Sequence, residues 1–107
     1  MQSITVSELA QWRQQQQDFL LLDVRREQAV AASGVQIEHS QWKNPALWLD
    51  WKDTILNTKP VVVYCAHGHE ISQGLTATLL AMGVNAVSLA GGMSAWQNAG
   101  QPVVAFQ

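Results

Sequence analysis

The stretch Pro60-Val61-Val62-Val63-Tyr64-Cys65-Ala66-His67-Gly68-His69-Glu70-Ile71-Ser72 decides the architecture. Three valines and a tyrosine form a short, unbroken apolar run, the pattern of a strand buried on both faces. Ala66–Ile71 reads as a loop. From Ser72 to Met82, Leu75, Leu79 and Met82 recur at helical spacing, Leu80 widens that face, and Gly83 is placed to end the helix. A fully buried strand that runs through a tight loop into a helix is the building unit of a parallel α/β sheet.

The same alternation extends both ways. Phe19-Leu20-Leu21-Leu22 is a second continuous apolar run, ending in Asp23-Val24-Arg25. Before it, Thr5 and Glu8 stand at capping-box spacing, with Ser7 as a rival cap. The helix they start has Leu9 and Trp12 on its inner face and Gln14–Gln17 at its wet end. Glu27–Ala32 reads as a short helix stopped by Gly34. Val35–Pro45 is ambiguous, a short strand and then loop, with Pro45 suited to the first turn of a helix. Leu47, Trp48, Trp51 and Ile55 predict a helix over about 46–57. Trp42 is free to line a pocket or a partner surface. Ala86–Leu89 is a further strand, Gly91-Gly92 a turn, and Met93–Asn98 a short helix carrying Trp96. Gly100 stops that helix, and Val103–Phe106 is a last extended piece. The expected fold is α/β, a mostly parallel sheet with helices on both faces. No repeat or linker interrupts it, so residues 1–107 read as one domain.

Composition excludes several classes of function. Net charge is −2 and charged residues make up 13% of the chain, against a usual ~25%. There is no basic footprint for nucleic acid, and no apolar run long enough to span a bilayer. Met1-Gln2-Ser3 opens without an export segment. One cysteine cannot form an internal disulfide and suits a reducing compartment, so the expected location is the cytoplasm.

In such sheets ligands bind beyond the carboxyl ends of the strands. That places Asp23–Arg26 and Cys65–Ser72 in the functional zone, with Gly91–Trp96 as a third wall. A thiol at a strand end, facing loop amides and a helix N-terminus, ionises more easily than a free one. Gly68 would allow a turn closed to other residues, and Gly74 would let the helix start lie close to a neighbour. A free cysteine is also often a small buried hydrophobe, so position alone leaves both roles open. Cys65, His67 and His69 stand too close in sequence for the usual zinc spacings, and no metal site is expected.

Several separated pieces together resemble the rhodanese, or sulfurtransferase, family in its compact single-domain form. They are Leu21-Leu22-Asp23-Val24-Arg25, Val62-Val63-Tyr64-Cys65-Ala66-His67-Gly68, Leu79-Leu80-Ala81-Met82-Gly83 and Val87 to Trp96 with its Gly91-Gly92 pair. The resemblance implies a doubly wound sheet of about five strands. It implies that Cys65 is the catalytic nucleophile, taking a sulfane sulfur from thiosulfate or a related donor as a persulfide and passing it to a thiol or cyanide. A sulfur-relay protein is a further partner of this class, and no cofactor is implied beyond the covalent persulfide.

On this reading Ala66, His67, Gly68, His69, Glu70, Ile71 and Ser72 cradle the substrate. Arg25 faces its anionic end, Arg26 faces solvent, and Trp96 walls the pocket. Asp23, Gly91 and Gly92 support the site. The loop departs from the family pattern, in which an arginine stands five residues after the cysteine and Ser or Thr follows it. Here those places hold Glu70 and Ile71, and Ser72 comes one later. Glu70 is expected to point away from the thiolate or to pair with Arg25, His67 or His69. Two alternatives stay open: a sulfur-carrying or regulatory module without turnover, and an arsenate reductase or phosphatase, which the missing arginine disfavours.

Overall fold

The computed structural model describes residues 3–106; the expectation about Met1 and Gln2 lies outside them. The chain runs β1 (Ser3–Ile4), α1 (Val6–Gln14), β2 (Leu20–Asp23), α2 (Glu27–Ser33), β3 (Val35–Gln36), β4 (Gln41–Trp42), α3 (Trp48–Trp51), β5 (Val61–Tyr64), α4 (Glu70–Ala81), β6 (Ala86–Leu89), α5 (Gly92–Asn98) and β7 (Val104–Ala105). Five strands form one sheet in the order β1-β6-β5-β2-β4, and every pairing in it is parallel.

β5 lies at the centre, with all four residues buried. The two-residue period of a strand sends its side chains to opposite faces. Val61, Val63 and Cys65 pack with Leu22, Val24, Trp51, Ile55 and Leu79 under α3 and α4. Val62 and Tyr64 pack with Leu9, Leu21, Ile37, Leu89, Met93 and Trp96 under α1 and α5. A double-sided core is what an uninterrupted apolar strand requires, and it makes the sheet doubly wound. No helix among the described residues is long and apolar enough to cross a membrane.

Local signals explain the element ends. Thr5, not Ser7, caps α1: its Oγ1 accepts from Glu8 N at 3.1 Å, and its own N donates to Glu8 Oε1 at 2.9 Å. Gly34 ends α2, and its N donates to Val30 O. Gly83 follows α4, its N donating to Leu80 O at 3.0 Å.

Four expectations need correction. The helix over 46–57 is one α-turn, Trp48–Trp51, between 3₁₀ turns at Pro45–Leu47 and Lys52–Thr54. Trp51 Nε1 donates back to Asn44 O at 2.8 Å and Thr54 Oγ1 donates to Trp51 O at 2.7 Å, bonds that favour turns over a continuous helix. Leu47 is half exposed there, while Trp51 and Ile55 are buried. α4 begins at Glu70 rather than Ser72, and Met82 lies exposed beyond its end. Val35–Pro45 holds two strands. β4 closes the sheet edge beside β2, and β3 pairs antiparallel with β7, the last extended piece, in a separate ribbon. Finally, a Cβ placed on Gly74 would meet nothing within 4 Å, so no close neighbour requires that glycine.

Candidate active site

Parallel register brings two strand ends together. Asp23 pairs with Tyr64, so Val24 and Cys65 leave the sheet side by side, and Val24 N donates to Tyr64 O at 2.9 Å. Cys65 is 5% exposed at the floor of a cleft of about 430 Å³, lined by Arg25, Arg26, Ala29, Cys65, Ala66, His67, His69, Glu70 and Ile71. The true loop is Ala66–His69; Glu70, Ile71 and Ser72 form the first turn of α4.

The loop is held from behind by α5. Met93 N donates to Cys65 O at 2.9 Å, and Ser94 N to Ala66 O at 2.9 Å. Gln73 Nε2 donates to Gly68 O at 2.8 Å. With their carbonyls fixed, the loop amides are free to face the thiol. Gly68 has φ +73°, and a Cβ there would lie 2.6 Å from Gly91 N. A Cβ on Gly92 would lie 2.4 Å from Cys65 O. The two backbones touch, so Gly91–Trp96 is the support of the loop and not a third wall of the cleft.

Sγ of Cys65 lies 3.1 Å from Oγ of Ser72. The longer spacing therefore still returns a hydroxyl to the sulfur. Burial pushes the Cys65 thiol up, but the Ser72 hydroxyl and the amides of Ser72, His69 and Gly68 outweigh it. The net effect holds the thiol below its ordinary value. Cys65 alkylation should therefore rise with pH around a midpoint below that of a free cysteine, ~8.5. In Ser72→Ala the midpoint should move up, and alkylation below the wild-type midpoint should slow by roughly five- to tenfold, the scale of one charge-assisted hydrogen bond. Above both midpoints the variant should be no slower, because the more basic thiolate is the better nucleophile. A pH profile identical to wild type would remove the hydroxyl from this account.

The other expected residues are placed as follows. Asp23 is fully buried. It accepts from Arg25 Nε at 3.0 and 3.1 Å, from Arg25 Nη2 at 2.7 Å, from Arg25 N at 3.0 Å and from Tyr64 Oη at 3.0 Å. Arg25 also donates from Nη2 to Val35 O at 2.8 Å, and it is 2% exposed. Arg25 borders the Cys65 cleft as expected, but its charge is already paired with Asp23, because the tight turn after β2 folds its guanidinium back onto the strand end. Trp96 does not wall the cleft. It is fully buried on the opposite face of the sheet, with Nε1 donating to Pro102 O at 2.9 Å.

Glu70, the first residue of α4, is exposed on the border of the cleft. It pairs with no cation among the described residues, and its carboxylate is not among the groups that shift the Cys65 thiol. His67 and His69 are exposed with ring centroids 6.4 Å apart. No cluster of His, Cys, Asp or Glu among the described residues is arranged to hold a metal ion.

Sequence reasoning missed the supporting shell. Tyr64 Oη lies 3.1 Å from Ser40 Oγ and accepts from Ile37 N at 3.2 Å. Burial first, and then the Asp23 carboxylate, hold this phenol far above its usual range, so it is a neutral donor to Asp23. Trp42 does not line the Cys65 cleft; it donates from Nε1 to Arg25 O at 2.9 Å and packs edge-on against Phe106. Gln73 carried no signal, since a helix-surface glutamine is unremarkable until the loop carbonyl it reaches is known.

With this geometry in place, the comparisons are specific. The family model of the rhodanese-like domain matches residues 5–99. The chain belongs to the rhodanese-like domain family. This rhodanese-like chain is similar in structure to a rhodanese-related protein from Thermoplasma volcanium, at 26% identity and TM-score 0.84, covering 97% of this chain and 98% of that one. It is also similar to a rhodanese-like domain protein from Staphylococcus aureus, at 27% identity and TM-score 0.80, covering 90% and 91%. A Rhodopseudomonas palustris protein of unknown function, described as a possible tyrosine phosphatase, shares the fold at 23% identity and TM-score 0.81, covering 97% of this chain and 85% of that one. Among curated proteins, none matches the chain.

Proposed function

We propose that this rhodanese-like domain is a sulfurtransferase in which Cys65 carries a sulfane sulfur as a persulfide. The carrying observation is the thiol itself, at the floor of an open cleft and held below its ordinary value by a hydroxyl and loop amides. The Cys65 thiolate attacks the outer sulfur of thiosulfate or a related donor. A new S–S bond forms to Cys65 as the donor's S–S bond breaks, and sulfite leaves with the bonding pair. Negative charge now rests on the outer sulfur of the persulfide, where the same amides and the Ser72 hydroxyl serve it. An acceptor nucleophile, cyanide or a thiol including one on a sulfur-relay protein, then attacks that sulfur and restores the thiolate. This is covalent catalysis in two half-reactions, with no cofactor and no metal.

Loop chemistry supports sulfur transfer over phosphoryl or arsenate chemistry. Residues 66–72 contain neither Lys nor Arg, so the loop supplies no fixed cation for a tetrahedral trianion. That same lack favours one second reading, a sulfur-carrying module that loads but turns over poorly.

Intact mass measurement after mixing with thiosulfate tests the proposal. Wild type should gain one sulfur atom, cyanide should remove it as thiocyanate, and Cys65→Ser should do neither. No adduct on wild type, or turnover in Cys65→Ser, would defeat the reading. Stoichiometric loading with a negligible steady-state rate would select the carrier module.

A further inference from the structure

The loop without a cation raises the question of what holds the anionic end of a donor. Five side chains around the thiol can carry charge: Arg25, Arg26, His67, His69 and Glu70. Arg25 is consumed by Asp23. Arg26 is different. It is exposed, and its guanidinium has no ion pair or hydrogen bond among the described residues.

Its backbone is nonetheless fixed. Arg26 is the capping residue of α2, in extended conformation, and its carbonyl accepts from Ala29 N at 2.9 Å and Val30 N at 3.1 Å. A second depression of about 450 Å³, bordered by Glu27, Gln28 and Asn44–Ala46, shares Arg26 and Ile71 with the Cys65 cleft. Arg26 thus stands where the two meet, an exposed side chain on a backbone fixed by the start of α2. It is positioned to swing over whatever occupies the cleft.

We propose that Arg26 anchors the anionic end of the sulfur donor in the Cys65 cleft, replacing the cation its loop lacks, while Glu70 across the rim opposes anions. This rests on the sulfurtransferase reading. A guanidinium suits the task because its planar fork takes two oxygens of a sulfonate or sulfite at once. It acts on the donor and not on the thiol, whose ionisation is governed by Ser72 and the loop amides.

The test measures the thiosulfate dependence of Cys65 persulfide loading in wild type, Arg26→Gln, Arg26→Lys and Glu70→Gln. The half-saturating thiosulfate concentration should rise about two- to fivefold in Arg26→Gln, the effect of one exposed charge. It should rise less in Arg26→Lys, which keeps charge but loses the fork, and fall in Glu70→Gln. Added salt should weaken loading in wild type and have little effect in Arg26→Gln. The pH profile of Cys65 alkylation should stay the same in Arg26→Gln.

A second arm needs no sulfur transfer: inorganic sulfate should protect Cys65 from iodoacetamide in wild type and fail to do so in Arg26→Gln. Equal protection in both, or unchanged thiosulfate dependence while Cys65 still loads, overturns the role of Arg26. Absent loading in wild type with sulfate protection intact defeats the sulfurtransferase reading and leaves Arg26 as an anion anchor.

Discussion

Asp23→Ala is expected to lower stability by about 3–5 kcal/mol, the usual cost of removing one partner from a buried ion pair. Asp23 is fully buried and Arg25 is 2% exposed. Alanine would leave a buried guanidinium at the carboxyl end of the sheet, with Val35 O as its one remaining hydrogen-bond acceptor and the Tyr64 ring 5.8 Å from its Cζ. It would also remove the carboxylate that accepts from Tyr64 Oη. At ~4–8 °C per kcal/mol for a domain near this size, the melting temperature should fall by more than ~12 °C.

The cost belongs to the orphaned charge, so Asp23→Ala combined with Arg25→Met should recover a large part of it. Asp23→Asn, which keeps an acceptor for Tyr64 and Arg25 N, should fall between. Denaturant unfolding of the four proteins checks this. A double variant as unstable as the single one would show that the pair contributes by shape and not by charge. Persulfide loading should fall along with stability, because Trp42 holds the Arg25 carbonyl and the turn after β2 forms one side of the cleft.

The contrast between Arg25 and Arg26 shows where sequence reading stops. Strands β2 and β5, the cysteine at a strand end and the capping box of Thr5 were all legible, because each rests on a local pattern of apolar residues or polar caps. Two-residue strands such as β3, β4 and β7 carry no measurable period, so the extended pieces near Val35 and Val103 gave no sign of pairing with each other, and β4 at the sheet edge was read as loop. The start of α4 was misplaced because His69 makes no side-chain cap, leaving no polar signal to mark it. Adjacent arginines have identical chemistry; only the register that sets Asp23 beside Tyr64 decides which one is consumed. Trp96 was misassigned for a similar reason, since its proximity to the glycine pair in sequence conceals that α5 turns it to the opposite face.

Gly92→Ala should reduce persulfide loading by more than ~100-fold, the scale of an ångström-level displacement of reacting groups. A Cβ there would sit 2.4 Å from Cys65 O, 2.6 Å from Gly68 N and 3.0 Å from Ala66 C. All three atoms are backbone, so no side chain can rotate away. The residue also has φ +60°, a region that costs an L-residue about 1–2 kcal/mol. Relief requires the Cys65 loop to move off α5, which breaks the bonds from Met93 N to Cys65 O and from Ser94 N to Ala66 O. Those bonds turn the loop carbonyls away from the thiol, so loosening them returns the Cys65 alkylation midpoint toward that of a free cysteine. Gly74→Ala is the matched control. It lies inside α4 with open space where its Cβ would go, and there alanine should stabilise by about 0.5–1 kcal/mol with loading intact. Circular dichroism separates local from global damage: loss of loading in a folded Gly92→Ala protein places the fault in the loop, whereas near-wild-type loading would mean that the contact between the glycine turn and the loop does not set the thiol's reactivity.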